Sequence, residues 1–141
     1  QTINSIDFVG GINDCTQFNP DLNNFLGEWT KEDVHQNLTN YANMVLLSNG
    51  EVHSLSCMEG LMAGLGLVVS EYATENLDLS KPFIDVIPES KINDINYVER
   101  IIVENRKKSI PIRNQIRQYA LENHKWRSLI DEYLALINSI K

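Results

Sequence analysis

Apolar and polar positions alternate between two periods along the chain. Ile6, Phe8 and Val9 form a short apolar run stopped by Gly10-Gly11, and Asn23 to Gly27 (NNFLG) follows an Asn/Asp-rich stretch, so two strands are predicted before the first helix. That helix opens at Thr30, whose hydroxyl can cap it, with Asp33 three residues on near the positive end of the helix dipole. Val34, Leu38 and Tyr41 then repeat at helical spacing. Met44 to Leu47 is a continuous apolar run closed by Ser48-Asn49-Gly50, which predicts a parallel strand buried on both faces. Ser56 and Glu59 make the Ser-x-x-Glu pattern of a capping box, so a helix is expected from there to Gly64, with Leu65 to Ser70 (LGLVVS) as the next buried strand.

Beyond a polar loop, Phe83 to Ile87 (FIDVI) predicts a further strand ended by Pro88, and Asn93 can cap a helix over about Asp94 to Arg106. The remainder reads as helical. Pro111 suits a first turn, a helix runs to about Asn123, and Trp126, Leu129, Ile130, Tyr133, Leu134 and Ile137 line one face of a last helix. Strands alternating with helices predict an α/β fold: a parallel sheet with helices on both faces, right-handed crossovers and a helical C-terminus. With no internal repeat and no linker, residues 1–141 read as one domain.

Composition supports a packed core. The 141 residues are 43% hydrophobic and 22% charged, with 4 Pro and 7 Gly, which excludes a low-complexity or disordered chain as the default. A chain of this size buries roughly two thirds of its unfolded surface, enough for one core. The longest strongly apolar stretch, Leu61 to Ser70, is far shorter than the ~20 residues that cross a bilayer. The chain starts at Gln1 rather than Met and shows no basic segment followed by an apolar one, so a fragment or processed chain without a signal peptide is expected. Two cysteines, Cys15 and Cys57, are too few for a disulfide framework and point to reduced thiols in a cytoplasmic protein. The Asn37-Leu38-Thr39 triplet falls in a predicted helix and is read as a chance glycosylation sequon.

The net charge of -7 is unevenly spread. Residues 1–90 hold Lys31 and Lys81 against 13 acids, and residues 91–141 hold 10 basic and 6 acidic side chains. The first part would repel phosphate backbones, so no nucleic acid is expected as a partner. The basic residues Arg106-Lys107-Lys108, Arg113, Arg117, Lys125 and Arg127 leave a peripheral contact with an anionic membrane open, with a solvated helical face as the simpler reading.

Ligands of an open parallel sheet bind outside the C-terminal ends of its strands, so chemistry is sought between Leu47 and the helix that follows. That stretch holds Glu51 and Glu59 in a Glu-x7-Glu spacing laid over a strand end, a loop and a helix start. Backbone N–H groups of the loop and the positive end of the helix suit a phosphate. The alternative is a solvated loop acid at Glu51 and a capping-box residue at Glu59, a role that Glu59 can hold alongside a binding one.

The run from Ala42 to Ser70 (ANMVLLSNGEVHSLSCMEGLMAGLGLVVS) resembles the donor-site segment of retaining glycosyltransferases of the GT-B fold, the large group-1 family. The pattern there is a strand, a Glu, a small-residue loop, a second Glu on an Ala/Gly-rich helix, then Gly and a buried strand. The likeness extends to Ile6–Gly10 (IDFVG), to Asn24-Phe25-Leu26-Gly27, and to His124-Lys125-Trp126 with Tyr133. It implies a Rossmann-like nucleotide-sugar-binding domain, the partial C-terminal domain of a GT-B fold. The N-terminal end of this domain and the acceptor-binding domain would lie upstream of Gln1.

The resemblance implies the following roles. Glu51 would contact hydroxyls of the transferred sugar, with His53 beside it in place of the family's aromatic, as the catalytic pair. Glu59 would hold the ribose, and Ser54, Leu55 and Ser56, with Gly10 and Gly11 at the first turn, would approach sugar or diphosphate oxygens. The donor would be a UDP- or GDP-linked sugar, the acceptor is undefined, and neither a metal nor another cofactor is implied. Two departures are visible: Val52 and Ser54 stand where the family has glycines, and Gly66 where it has proline. No Asp-x-Asp and no Cys/His cluster occurs. No basic residue lies between Lys31 and Lys81, where the family holds the diphosphate with Arg and Lys, so the chain alone is expected to be inactive. Cys57 is read as a small apolar filler rather than a nucleophile. The alternative reading is a non-catalytic α/β nucleotide-binding or protein-interaction module.

Overall fold

The computed structural model describes residues 6–11, 24–52 and 54–140, and within them not the side chains of 126–129 and 132. The chain divides into two compact units, Gln1–Asn40 and Tyr41–Lys141. In the first, strand β1 (Asp7–Phe8) pairs in parallel with β2 (Asn24–Phe25), Asp7 opposite Asn24. Two further backbone bonds of 2.9 Å extend the pairing, from Leu26 N–H to the Phe8 carbonyl and from Gly10 N–H to the Gly27 carbonyl. Helix α1 (Lys31–Asn37) starts at Thr30 with a complete capping box: the Asp33 N–H donates to Thr30 Oγ1, and Thr30 N–H donates to the Asp33 carboxylate at 2.8 Å. The Thr30 hydroxyl, donating to Asp33 Oδ2 at 2.6 Å, and then the Thr30 N–H hold the Asp33 carboxyl below the usual carboxylate range. The expected cap and acid at this start both stand.

The second unit carries three parallel strands, β3 (Asn43–Leu46), β4 (Gly66–Ser70) and β5 (Ile84–Ile87), in the order β3-β4-β5. Met44 lies opposite Leu67, and Leu67 opposite Ile84. The fold is therefore α/β with parallel strands, but the described strands form two small sheets instead of one. All five residues of the central strand β4 are buried. The expectation that Met44–Leu47 is buried on both faces is corrected, because β3 is an edge strand of its sheet and every one of its residues keeps some exposure.

Helices cover both faces of this sheet. Helix α2 (Leu55–Met62) lies so close that a Cβ at Gly60 would stand 3.1 Å from Met44 Sδ and 3.3 Å from Leu67. Helix α4 (Arg113–Asn123) packs on α2, and its Ile116 and Ala120 share a core with Cys57, Leu61, Leu67 and Val69. Side chains alternate along a strand, so Gly66, next to Leu67, faces the other way. There a Cβ would fall 1.9 Å from Ser109 Oγ and 2.4 Å from Asn105 Oδ1 on helix α3 (Ile95–Ser109). Buried Asn105 donates to the carbonyls of Leu67 and Phe83, at 3.0 and 3.1 Å, and to Asp85 Oδ2 at 2.8 Å, tying the starts of β4 and β5 together.

Helix ends differ from expectation in two places. Asp94, not Asn93, caps α3, its carboxylate accepting from Tyr97 N–H at 3.1 Å. Ser54, not Ser56, caps α2, accepting from Cys57 N–H at 3.3 Å. Gly64 does end α2: it takes φ +80°, and its position touches the backbone of Arg113. Pro111 lies in a 3-10 turn (Ile110–Ile112) leading into α4. The last helix, α5 (Trp126–Ser139), leaves Ile130, Tyr133, Leu134, Leu136 and Ile137 exposed.

Candidate functional site

The parallel strands β3, β4 and β5 end at Leu46, Ser70 and Ile87, so the segments after them share one edge of the sheet. These are the loop at 47–54, the 3-10 turn Glu71–Ala73, and the 3-10 turn Glu89–Lys91. The loop carries Glu51 and delivers the chain to α2. Its end is fixed by the Ser54 cap, which satisfies the third amide of the helix; those of Leu55 and Ser56 have no carbonyl a turn back within α2. The start of α2 thus presents two amide donors and the positive dipole end at the sheet edge.

Glu51 is half-buried in this loop, and its backbone N–H donates to the Tyr72 carbonyl at 3.1 Å. Burial pushes the Cys57 thiol up, and the Glu51 charge adds to this, against a lowering by the hydrogen bond with Ser54. Cys57 is wholly buried in the core and held as the neutral thiol, the opposite of an activated nucleophile.

Glu59 is exposed on α2. With Ser54 as the cap, the third helical residue is Cys57 and Glu59 is the fifth, so the capping-box role expected for Ser56 and Glu59 is removed. The Glu59 carboxylate makes no hydrogen bond or ion pair with the described residues, and local helix chemistry leaves it uncommitted. Ser54 is buried, with its hydroxyl spent on the cap, whereas Leu55 and Ser56 are exposed. Gly10 and Gly11 follow β1 in the other unit; Gly10 has φ +137° and its amide is taken by Gly27, and Gly11 lies against the Glu28 side chain. His53 lies outside the described residues, as does Cys15.

The same edge carries residues that the sequence pattern does not single out. Tyr72 donates from its hydroxyl to Glu89, and the Glu89 N–H donates to Glu71 Oε2 at 3.0 Å. The bond to Glu89, with that carboxylate's charge, raises the Tyr72 phenol above its ordinary value. With Glu51, the edge therefore gathers Glu71 and Glu89, one acid behind each strand. Asn76 donates from Nδ2 to the Val52 carbonyl at 3.0 Å. Among the described residues, no group of three or more His, Cys, Asp or Glu could hold a metal ion. No helix among them is long and apolar enough to cross a membrane.

Compared with protein-family models, with curated proteins and with solved structures, the chain matches none.

Proposed function

We propose that this chain is the donor-binding part of a retaining, metal-independent glycosyltransferase, taking a sugar from a UDP- or GDP-sugar. The reading is supported by two acids in succession: a half-buried Glu51 in the loop after β3, and Glu59, an exposed acid on the following helix that has no capping duty. A carboxylate accepts two hydroxyl donors, which suits vicinal sugar or ribose hydroxyls. The amides of Leu55 and Ser56 suit the diphosphate between them. In the transfer, the bond from the anomeric carbon to the diphosphate oxygen breaks as an acceptor hydroxyl attacks the same face. The hydroxyl proton passes to the departing phosphate oxygen. The chain's part is to orient the donor, and in this reading an acceptor-binding domain supplies the other substrate.

With no Lys or Arg between Lys31 and Lys81, and with Lys91 of the same edge paired to Asp94 at 3.1 Å, the two negative charges of the diphosphate meet little compensation, so donor affinity is expected at about millimolar, about -4 kcal/mol. Titration of UDP-glucose and of GDP-mannose, followed by NMR, tests this. Saturable binding by one of them, weakened at least fivefold by Glu51→Gln and by Glu59→Gln, supports the reading. No saturation, or equal binding by both variants, rejects it.

A second reading rests on one observation: Glu51, Glu71 and Glu89 make the strand edge acidic, an unfavourable surface for a diphosphate. A non-catalytic interaction module with a basic partner would use that edge directly. Absence of nucleotide-sugar binding in the titration favours it.

A further inference from the structure

Three hydrogen bonds join residues 48–52 to the last residue of β4 and the segment that follows it. Ser70 Oγ donates to the Ser48 carbonyl at 2.5 Å, Glu51 N–H donates to the Tyr72 carbonyl at 3.1 Å, and Asn76 Nδ2 donates to the Val52 carbonyl at 3.0 Å. They fall at successive points along the loop and bracket Glu51 on both sides. The first two come from a buried strand end and a backbone amide. The third is a side chain reaching across 24 positions of sequence from a surface turn. Asn76 is also the single non-glycine residue with positive φ among the described residues, at 62°. That conformation costs an L residue about 1 kcal/mol, least for Asn, and here it aims the amide at Val52. An exposed turn needs no such residue for packing; glycine would hold the same backbone without the cost.

We infer that Asn76 is a positioning residue for the candidate site, pinning the loop so that the Glu51 backbone is preset ahead of α2 before a ligand arrives. The inference rests on the donor-site reading for what the loop binds, but not for the pin itself. Val52, whose carbonyl is held, is 83% exposed, so the anchor acts through backbone and not through packing. Presetting matters because each loop residue ordered on binding costs affinity.

Asn76→Gly keeps the left-handed backbone and deletes the donor; Asn76→Asp keeps the shape and replaces the donor by an acceptor. Amide exchange of Glu51, read by NMR, is expected to rise about fivefold in both variants, the loss of one net hydrogen bond, with the thermal midpoint of Asn76→Gly unchanged. Affinity for the UDP- or GDP-sugar that binds the wild type is expected to fall by a similar factor. Unchanged Glu51 exchange in both variants overturns the pin. Faster exchange with donor affinity unchanged overturns the positioning role. Faster exchange in a protein whose wild type binds neither UDP-glucose nor GDP-mannose keeps the pin and rejects the donor reading, so the two failures are told apart.

Discussion

Replacing Gly66 by alanine tests how α3 seats on the central strand. The added Cβ would fall 1.9 Å from Ser109 Oγ, 2.4 Å from Asn105 Oδ1 and 2.8 Å from Ser109 Cβ, where a real Cβ needs at least 3 Å. Neither neighbour can yield at small cost. Ser109 and Asn105 are fully buried, and the Asn105 amide donates to the carbonyls of Leu67 and Phe83, so moving it breaks hydrogen bonds made by a buried donor. Overpacking alone costs ~1–3 kcal/mol, and the loss of a buried hydrogen bond adds ~1 kcal/mol. The expected loss is about 3 kcal/mol, a large share of the ~5–15 kcal/mol that holds a typical domain. Urea unfolding followed by far-UV circular dichroism reads it as a lower midpoint. Gly50→Ala is the control: nothing lies within 4 Å of its Cβ and its φ is unexceptional, so it should stay within ~0.5 kcal/mol of wild type or gain slightly. Adding Ser109→Ala to Gly66→Ala removes the closest clash but leaves Asn105 Oδ1 at 2.4 Å and the Cβ of residue 109 at 2.8 Å, so the pair should recover part of the loss and be non-additive. A Gly66→Ala midpoint equal to that of Gly50→Ala would refute the described seating of α3 on β4.

The remaining expectations are smaller in scope. Ser54→Ala should cost about 1 kcal/mol through the lost cap, whereas Ser56→Ala, at an exposed second helical position, should cost a few tenths at most in the same urea assay. In a Cys15→Ser background, Cys57 should react with iodoacetamide at ~pH 8 at least tenfold more slowly in folded protein than in urea, because burial keeps it protonated beyond the ordinary thiol range; equal rates would show that the site is open. Asp94 is held below the usual carboxylate range chiefly by the Tyr97 amide, then by Lys91. A depressed folded pKa contributes stability that is present above the ordinary carboxylate value and lost as pH falls through the folded one. Asp94→Asn should therefore be less stable than wild type at ~pH 6, with the gap closing towards ~pH 2; a gap independent of pH would contradict this.

Several features were legible because their causes are local. The capping box at Thr30 and Asp33 needs three residues of sequence, and the run LGLVVS announces a strand covered on both faces, as β4 is. The helix stop at Gly64 follows from a positive φ that glycine adopts freely. Other features were hidden by competition or by distance. Ser54 and Ser56 can each cap α2, and the Glu three residues after Ser56 favoured the wrong one; burial of Cys57 and Leu61 set the helix phase instead. The exposure of β3 depends on its being an edge strand, which no run of four residues can state. At the sheet edge, the order of strand, loop with Glu51, and helix could be read from the sequence, though not the residue that caps the helix. Glu71, Tyr72, Glu89 and Asn76 could not, because they join the edge through pairings between separate connections, and sequence period carries no signal for these.

Two-dimensional NMR of the chain during titration with UDP-glucose and GDP-mannose measures directly whether Glu51, Glu59 and the first amides of α2 receive one nucleotide-sugar. One donor is expected to shift the amides of Glu51, Leu55, Ser56 and Glu59 together along a single saturable curve, with α3 amides unmoved. Shifts elsewhere with these four unchanged, or no shift at ~10 mM of either donor, would contradict it.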